Sequence, residues 1–293
     1  MRIFPNANHA KKVIVFFILT VVLAFVLSGC IVNADGTSLD VYKYDNAEKY
    51  SSGEFEYDAT KVKSITIGWV HDGIEIIGSS VGSTVKLSEE NSKTDDQYAF
   101  RHYLDESGHL DIRFVESGTI LPNDYIFWKS KKLSIVLPTA YVDLTKIKLN
   151  TVSAYMDISN VKASTIGIES VSGKINIHSC DVDRFDTNTV SSSINFTGMV
   201  ETIDITTVSS NCEFSISSKT KLVDVDTVSG SVKLNFDSSV TGYTLDFDSI
   251  SGKHETQISP TITESQLVFG DGALNVKMKS VSANLYIKTY YTE

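Results

Sequence analysis

The sequence predicts an all-β fold: a β-solenoid, built as a single-stranded β-helix with coils of about 19 residues. Three observations carry that expectation. Val-Ser or Ile-Ser recurs at Val152, Val171, Val190, Val208, Val228, Ile250 and Val281, with spacings of 19, 19, 18, 20, 22 and 31 residues. Apolar residues alternate on both sides of that dipeptide. With the Val or Ile as position 0, position −5 holds Ile147, Ile166, Phe185, Ile203, Val223, Leu245 and Val276, and position +4 holds Met156, Ile175, Ile194, Cys212, Val232, His254 and Leu285. Position +2 is always small: Ala154, Gly173, Ser192, Ser210, Gly230, Gly252 or Ala283. Period-two alternation marks a strand, and a small residue between two such runs marks a corner. One strand-corner-strand unit cannot bury its apolar face. Copies stacked at the strand spacing of about 4.8 Å can. A β-sandwich with a strand every 8–12 residues is the rival, and seven in-register copies of one motif favour the solenoid.

The chain opens with a targeting segment. Arg2, Lys11 and Lys12 precede an uncharged apolar run from Val13 to Leu27, which ends in Leu27-Ser28-Gly29-Cys30. Positive charge, a short apolar core and small residues before a cleavage point read as a secretory signal over residues 1–29. The tetrapeptide resembles the lipobox of bacterial lipoproteins. That resemblance implies lipidation at Cys30, attachment to the membrane through that lipid, and a location on the cell membrane facing outside the cytoplasm. An uncleaved helix is the alternative, because Val13 to Val32 is long enough to span a bilayer. Either way, everything after Cys30 lies outside.

Residues 30–45 read as a linker and residues 46–293 as one domain, irregular over 46–138 and regular over 139–293. In the irregular part Ile65, Ile67, Trp69, Val70, Ile74 and Ile76 form a diverged copy of the motif, with His71-Asp72 in place of Ser-small. Val85-Lys86-Leu87, Leu110 to Phe114 and Leu133 to Pro138 read as further strands, with a polar loop from Ser88 to Gln97. In the regular part position −1 is always a hydroxyl: Thr151, Ser170, Thr189, Thr207, Thr227, Ser249 or Ser280. Buried hydroxyls need partners, so this row should point inward and chain from coil to coil.

Charge narrows the function classes. The chain has 26 Lys plus Arg against 36 Asp plus Glu, a formal charge of −10, which argues against nucleic-acid binding. Three cysteines cannot build a disulfide scaffold. An acidic body is also repelled from an anionic membrane surface, so the domain should stand off the bilayer on its tether.

Candidate chemistry is sparse, and no catalytic or cofactor-binding residue is expected. Gly78-Ser79-Ser80-Val81-Gly82 fits a nucleophile elbow, but the elbow needs a helix after it and a strand follows. Six histidines are scattered, at positions 9, 71, 102, 109, 178 and 254. His178 and Cys180 have no second pair at zinc spacing. His254 occupies a core slot and should point inward. Cys180 and Cys212 lie two coils apart, about 9 Å along the axis, beyond the roughly 7 Å reach of a disulfide. Both should be free, shielded thiols. The most specific polar feature is an acidic stripe: Asp186, Asp204, Asp224 and Asp246 at −4 in consecutive coils, with Glu169, Asp226 and Asp248 at −2. Carboxylates stacked about 5 Å apart repel unless cations or solvent screen them. Oxygen ladders suit Ca²⁺, which needs six to eight converging oxygens. The alternative is a solvated face that discourages edge-to-edge aggregation.

Thr227 to Leu234, Ser170 to Ile177, Ser249-Ile250-Ser251-Gly252, the segment Ile65 to Ile76 and the strand Leu133 to Pro138 together resemble the bacterial putative-adhesin domain of unknown function. The resemblance covers nearly all of the chain after Cys30. It implies a single-coil-wide β-helix, a place in the cell envelope and no shared catalytic residues. The expected function is therefore a non-enzymatic cell-surface lipoprotein, adhesin-like in binding or an envelope scaffold, with a surface protein or polysaccharide as ligand. An accessory outer domain in envelope-stress sensing is one alternative. A polysaccharide-cleaving β-helix enzyme is another, but it needs acids and bases clustered in a cleft beside long loops, and these coils leave little loop.

Overall fold

A computed structural model describes residues 40–121, 130–257, 261–263 and 266–289; the signal segment and Cys30 lie outside the described residues. The strands are β1 (Asp40–Val41), β2 (Ser51–Ser52), β3 (Phe55–Asp58), β4 (Ser64–Ser79), β5 (Thr84–Asn91), β6 (Arg101–Leu104), β7 (His109–Arg113), β8 (Ile120–Leu121) and β9 (Lys131–Pro138) in the first half. In the second half they are β10 (Leu144–Ser159), β11 (Lys162–Ile216), β12 (Leu222–Phe236), β13 (Gly242–Ser249), β14 (His254–Thr256), β15 (Thr261–Thr263), β16 (Gln266–Gly270), β17 (Leu274–Ser280) and β18 (Asn284–Thr289). Among the described residues the only helical pieces are three single 3-10 turns. The protein is all-β and solenoid-like.

The repeat pattern sets the pairing. β10 lies parallel to β11 with Ile147 opposite Ile166 and Met156 opposite Ile175. β11 lies parallel to β12 with Ile203 opposite Val223 and Cys212 opposite Val232. Like thus stacks on like at every apolar position, and a one-residue slip would turn the whole row outward. The diverged copy takes its place in the same stack: β4 pairs with β10, Ile65 opposite Ile147, His71 opposite Ser153 and Asp72 opposite Ala154.

The corner explains the invariant serine. Ser172, Ser229, Ser282 and Ser251 each donate a side-chain hydrogen bond to the position-0 carbonyl of the neighbouring coil, at 3.5, 3.4, 3.3 and 3.3 Å. That carbonyl sits where the chain turns between arms, and the hydroxyl gives it a further partner. The −1 hydroxyls do point inward, as expected, but only some run from coil to coil. Thr151 donates to Ser170 at 2.8 Å and Ser280 to Ser249 at 2.7 Å. Elsewhere the row closes on its own corner: Thr189 lies 2.6 Å from Ser192 Oγ, Thr207 lies 2.5 Å from Ser210 Oγ, and Thr227 donates to the Ser229 carbonyl at 2.9 Å. Where +2 is serine, its hydroxyl is a nearer partner than the next coil; where it is Gly230, the +1 carbonyl serves instead.

The C-terminal coils are not stacked in chain order. β17 and β18 lie directly on β12, with Val223 opposite Val276 and Val232 opposite Leu285. β13 and β14 pair with β17 and β18 from the far side. The last coil in sequence is therefore inserted between the two before it, which corrects the expectation of consecutive stacking. Charge favours this order. In chain order Asp224 would face Asp246 and Asp226 would face Asp248. In the structure Lys277 stands opposite both Asp224 and Asp246, and Lys279 opposite both Asp226 and Asp248. Insertion replaces two like-charge register neighbours with four of opposite charge, each worth at most a few tenths of a kcal/mol. Lys277→Glu combined with Lys279→Glu should lower stability by roughly 1–2 kcal/mol at low salt and by much less in 1 M salt. Equal melting temperatures at both salt levels would show that charge does not order these coils.

Two boundaries differ from the sequence expectation. Tyr42, placed in the linker, is buried at 2% exposure, with its hydroxyl donating to the Gly68 carbonyl at 3.3 Å. Ser88 to Asn91, placed in a loop, continue β5 because they pair with Lys131 to Ser134 of β9.

Candidate binding surface

Each coil has an outward face on either side of its corner, and the expected stripe lies on the face before it. Arg184 breaks the run of carboxylates: its Nε lies 2.6 Å from Asp186 and its Nη2 2.5 Å from Asp204. Further along, Lys277 and Lys279 interrupt it again. Asp246 and Asp248 are thus separated from Asp224 and Asp226, and the stripe is a mixed-charge face. Burial still pushes the Asp226 carboxyl above its ordinary range, against the pull of Lys279, and burial does the same to Asp186 against Arg184. Among the described residues no group of three or more His, Cys, Asp or Glu side chains gathers as a metal site. Cys30, the predicted lipidation site, lies outside the described residues.

The other sequence candidates resolve into structural roles. Ser79 of the G-x-S-x-G segment ends β4; its hydroxyl donates to the Val81 carbonyl at 3.1 Å and accepts from the Val81 N–H at 3.2 Å. β5 begins at Thr84, so the segment is a strand-to-strand turn. His254 is exposed, contrary to expectation, because β14 pairs only with β18 and its coil ends the stack there. His102 is buried among Phe55, Tyr57 and Phe100, 2.6 Å from the Tyr57 hydroxyl, and burial pushes its pKa down to about 4. Cys180 and Cys212 are free and 2% exposed; burial raises their thiols to about 11 and about 12. Neither is a thiolate at neutral pH, so neither is a nucleophile there.

The outward face after the corner carries a feature that the repeat pattern does not single out. At positions +3 and +5 the coils of β11 and β12 form a polar groove of roughly 460 Å³. Its floor is short side chains: Ser193, Asn195, Asn211 and Ser231. Long ones stand at its ends, Lys174 on one side and Lys233 on the other. Strand alternation forces all of them outward, since Ile175, Ile194, Cys212 and Val232 fill the inward slots between. Two tyrosines flank the lysines in register, Tyr155 opposite Lys174 and Tyr286 opposite Lys233. Tyr155 is 43% exposed, and its hydroxyl accepts from Asn176 Nδ2 at 2.8 Å. Glu213 accepts from Asn235 Nδ2 at 2.9 Å, and Ser231 donates to Asn211 Oδ1 at 2.8 Å. Amides and hydroxyls on a rigid sheet offer donors and acceptors together, which suits a hydroxyl-rich ligand. The signal was present in the sequence as short polar residues at two fixed offsets in neighbouring repeats.

The family described as Toastrack DUF4097 matches residues 62–268. No curated protein matches the chain. Among solved structures it is similar to a putative cell adhesion protein from Clostridium sporogenes, at 12% identity and a TM-score of 0.37, over 82% of this chain and 100% of that one. It is similar to a putative adhesin from Bacteroides fragilis, at 12% identity and a TM-score of 0.39, over 83% and 98%. A putative lipid binding protein from Parabacteroides distasonis aligns at 11% identity and a TM-score of 0.23, over 82% and 97%. Likenesses this loose carry no argument about ligand.

Proposed function

The chain belongs to the Toastrack DUF4097 family, and on that premise we propose a non-enzymatic, surface-displayed binding module, adhesin-like in action and tethered through a lipid on Cys30. The observation that carries this reading is the groove after the corner. It crosses several coils, its groups are held in register by main-chain pairing, and its floor is polar. A single-stranded β-helix with coils of about 19 residues repeats outward groups every 4.8 Å or so along its axis, a spacing suited to an extended polymer. The acidic balance keeps the domain off the bilayer and leaves its flanks free.

Two measurements on the full chain test the proposal. Cells given labelled palmitate should label the wild type, and Cys30→Ala should lose the label and appear in the medium. A wild type that takes no label and keeps residues 1–29 has a plain helical anchor. Detergent-solubilised full chain should also co-sediment with insoluble cell-envelope material; a protein left wholly in the supernatant is not a binding module of this kind.

A further inference from the structure

We propose that the groove between Lys174 and Lys233 binds a carboxylate-bearing polysaccharide laid along the solenoid axis. This rests on the binding-module reading above and names its ligand class.

Charge complementarity selects the ligand. The protein carries a formal charge of −10, yet the two long side chains that bound the groove are both lysines. Among the described residues no carboxylate lies within ion-pairing distance of either ammonium group. Some surface cations are engaged, Lys148 with Glu169 at 3.0 Å, Lys132 with Glu75 at 3.0 Å and Arg184 with two aspartates. Others, such as Lys162, have no ion pair among the described residues, like these two, so what sets Lys174 and Lys233 apart is their place at the ends of one polar groove. Glu213 is the acid inside the groove. It stands opposite Lys233 in register, and its carboxylate accepts a hydrogen bond from Asn235 Nδ2.

The floor selects the rest of the ligand. Ser193, Asn195, Asn211 and Ser231 are too short to fill the gap between the lysines. Their amides and hydroxyls match ring hydroxyls and would leave an apolar partner's surface facing polar groups. The lysine-bearing coils are three steps apart, about 14 Å at the strand spacing, which is the length of a few sugar units rather than one. A tyrosine stands beyond each lysine, Tyr155 and Tyr286, where a sugar ring can lie against an aromatic face. Each exposed lysine–carboxylate contact is weak on its own. A polymer that engages both ends at once gains from the linkage between them.

The test is binding of the full chain in detergent to soluble polymers of known charge, followed by calorimetry. Polygalacturonate is the probe, dextran the neutral glycan control and poly-glutamate the non-glycan polyanion. The expected result is saturable binding of polygalacturonate, at least tenfold tighter than either control. Lys174→Gln with Lys233→Gln should weaken it at least tenfold, and 0.5 M salt should weaken the wild type likewise. Lys162→Gln, exposed and outside the groove, should change nothing. Dextran binding as tight as polygalacturonate would overturn the charge selection. Poly-glutamate binding as tight would overturn the sugar floor. A double variant that binds like wild type would remove the ligand from this groove. If the protein co-sediments with envelope material but ignores polygalacturonate, this inference fails and the binding-module reading stands. If it does neither, both fail.

Discussion

Lys131→Ala should destabilise the protein by about 3–5 kcal/mol, the usual consequence of removing one partner from a buried ion pair. Lys131 opens β9 and is 0% exposed. Its ammonium donates to the Glu89 carboxylate and, at 2.7 Å, to the Tyr98 carbonyl. The ammonium also lies 5.3 Å from the Trp69 ring centroid and 5.1 Å from that of Phe114. Burial pushes its pKa down while Glu89 pulls the other way. Alanine would strand the Glu89 carboxylate, which is 9% exposed and is left with the Phe100 N–H at 3.1 Å and Asn91 Nδ2 at 3.4 Å. Lys131→Met keeps most of the volume and still strands Glu89, so it should cost nearly as much. Lys131→Met with Glu89→Leu removes both charges and should recover most of the loss. Urea denaturation midpoints with a shared slope measure all three. A single-alanine loss under 1 kcal/mol would mean that water reaches this pair.

That pair shows where the sequence stopped being informative. The periodic coils were legible because their outward and inward rows repeat at fixed offsets, and register followed from the same offsets. The β4 copy was found the same way, and Ile65 does face Ile147. Nothing periodic marks Lys131 or Glu89. They are 42 residues apart, Lys131 opening β9 and Glu89 near the end of β5, and they meet because β5 and β9 run antiparallel. Tyr42 is illegible for a similar reason: an aromatic in a short polar stretch looks solvated until Gly68, far away in sequence, gives it room.

The coil order was hidden in a subtler way. Repeat matching places Val228, Ile250 and Val281 in sequence order, because it scores likeness and ignores what faces what. The alternation of Asp224, Lys277 and Asp246 was present in the chain, and reading cross-strand charge pairs would have exposed the inversion. The groove was missed for the opposite reason. Attention to charge favoured the aspartates, whereas Ser193, Asn195 and Asn211 matter through being short.

Gly230→Val should cost about 3–5 kcal/mol, because two separate penalties fall on one residue. Gly230 sits at the +2 corner of β12 with φ of +112°, a conformation that side-chain-bearing residues rarely adopt. A Cβ there would lie 2.0 Å from the Ser210 carbonyl oxygen and 2.9 Å from its carbon. Both are main chain of the neighbouring coil, so neither can rotate aside. Relief requires the coils to part, and Thr227, which donates to the adjacent Ser229 carbonyl at 2.9 Å, would lose its geometry. Gly230→Ala meets the same oxygen and should cost most of the same amount. The β-branch adds further crowding at the corner. Gly173, at φ +133° with a Cβ position 2.2 Å from the Ala154 carbonyl oxygen, should behave alike. Ala154, in the same row, already carries a Cβ and has no positive φ, so Ala154→Gly should cost only about 1 kcal/mol. Thermal and urea unfolding of the three variants would rank them. A corner in which Gly230→Val is no worse than Ala154→Gly does not bring two main chains into contact, and the stacking distance at that turn would have to be larger than the structure has it.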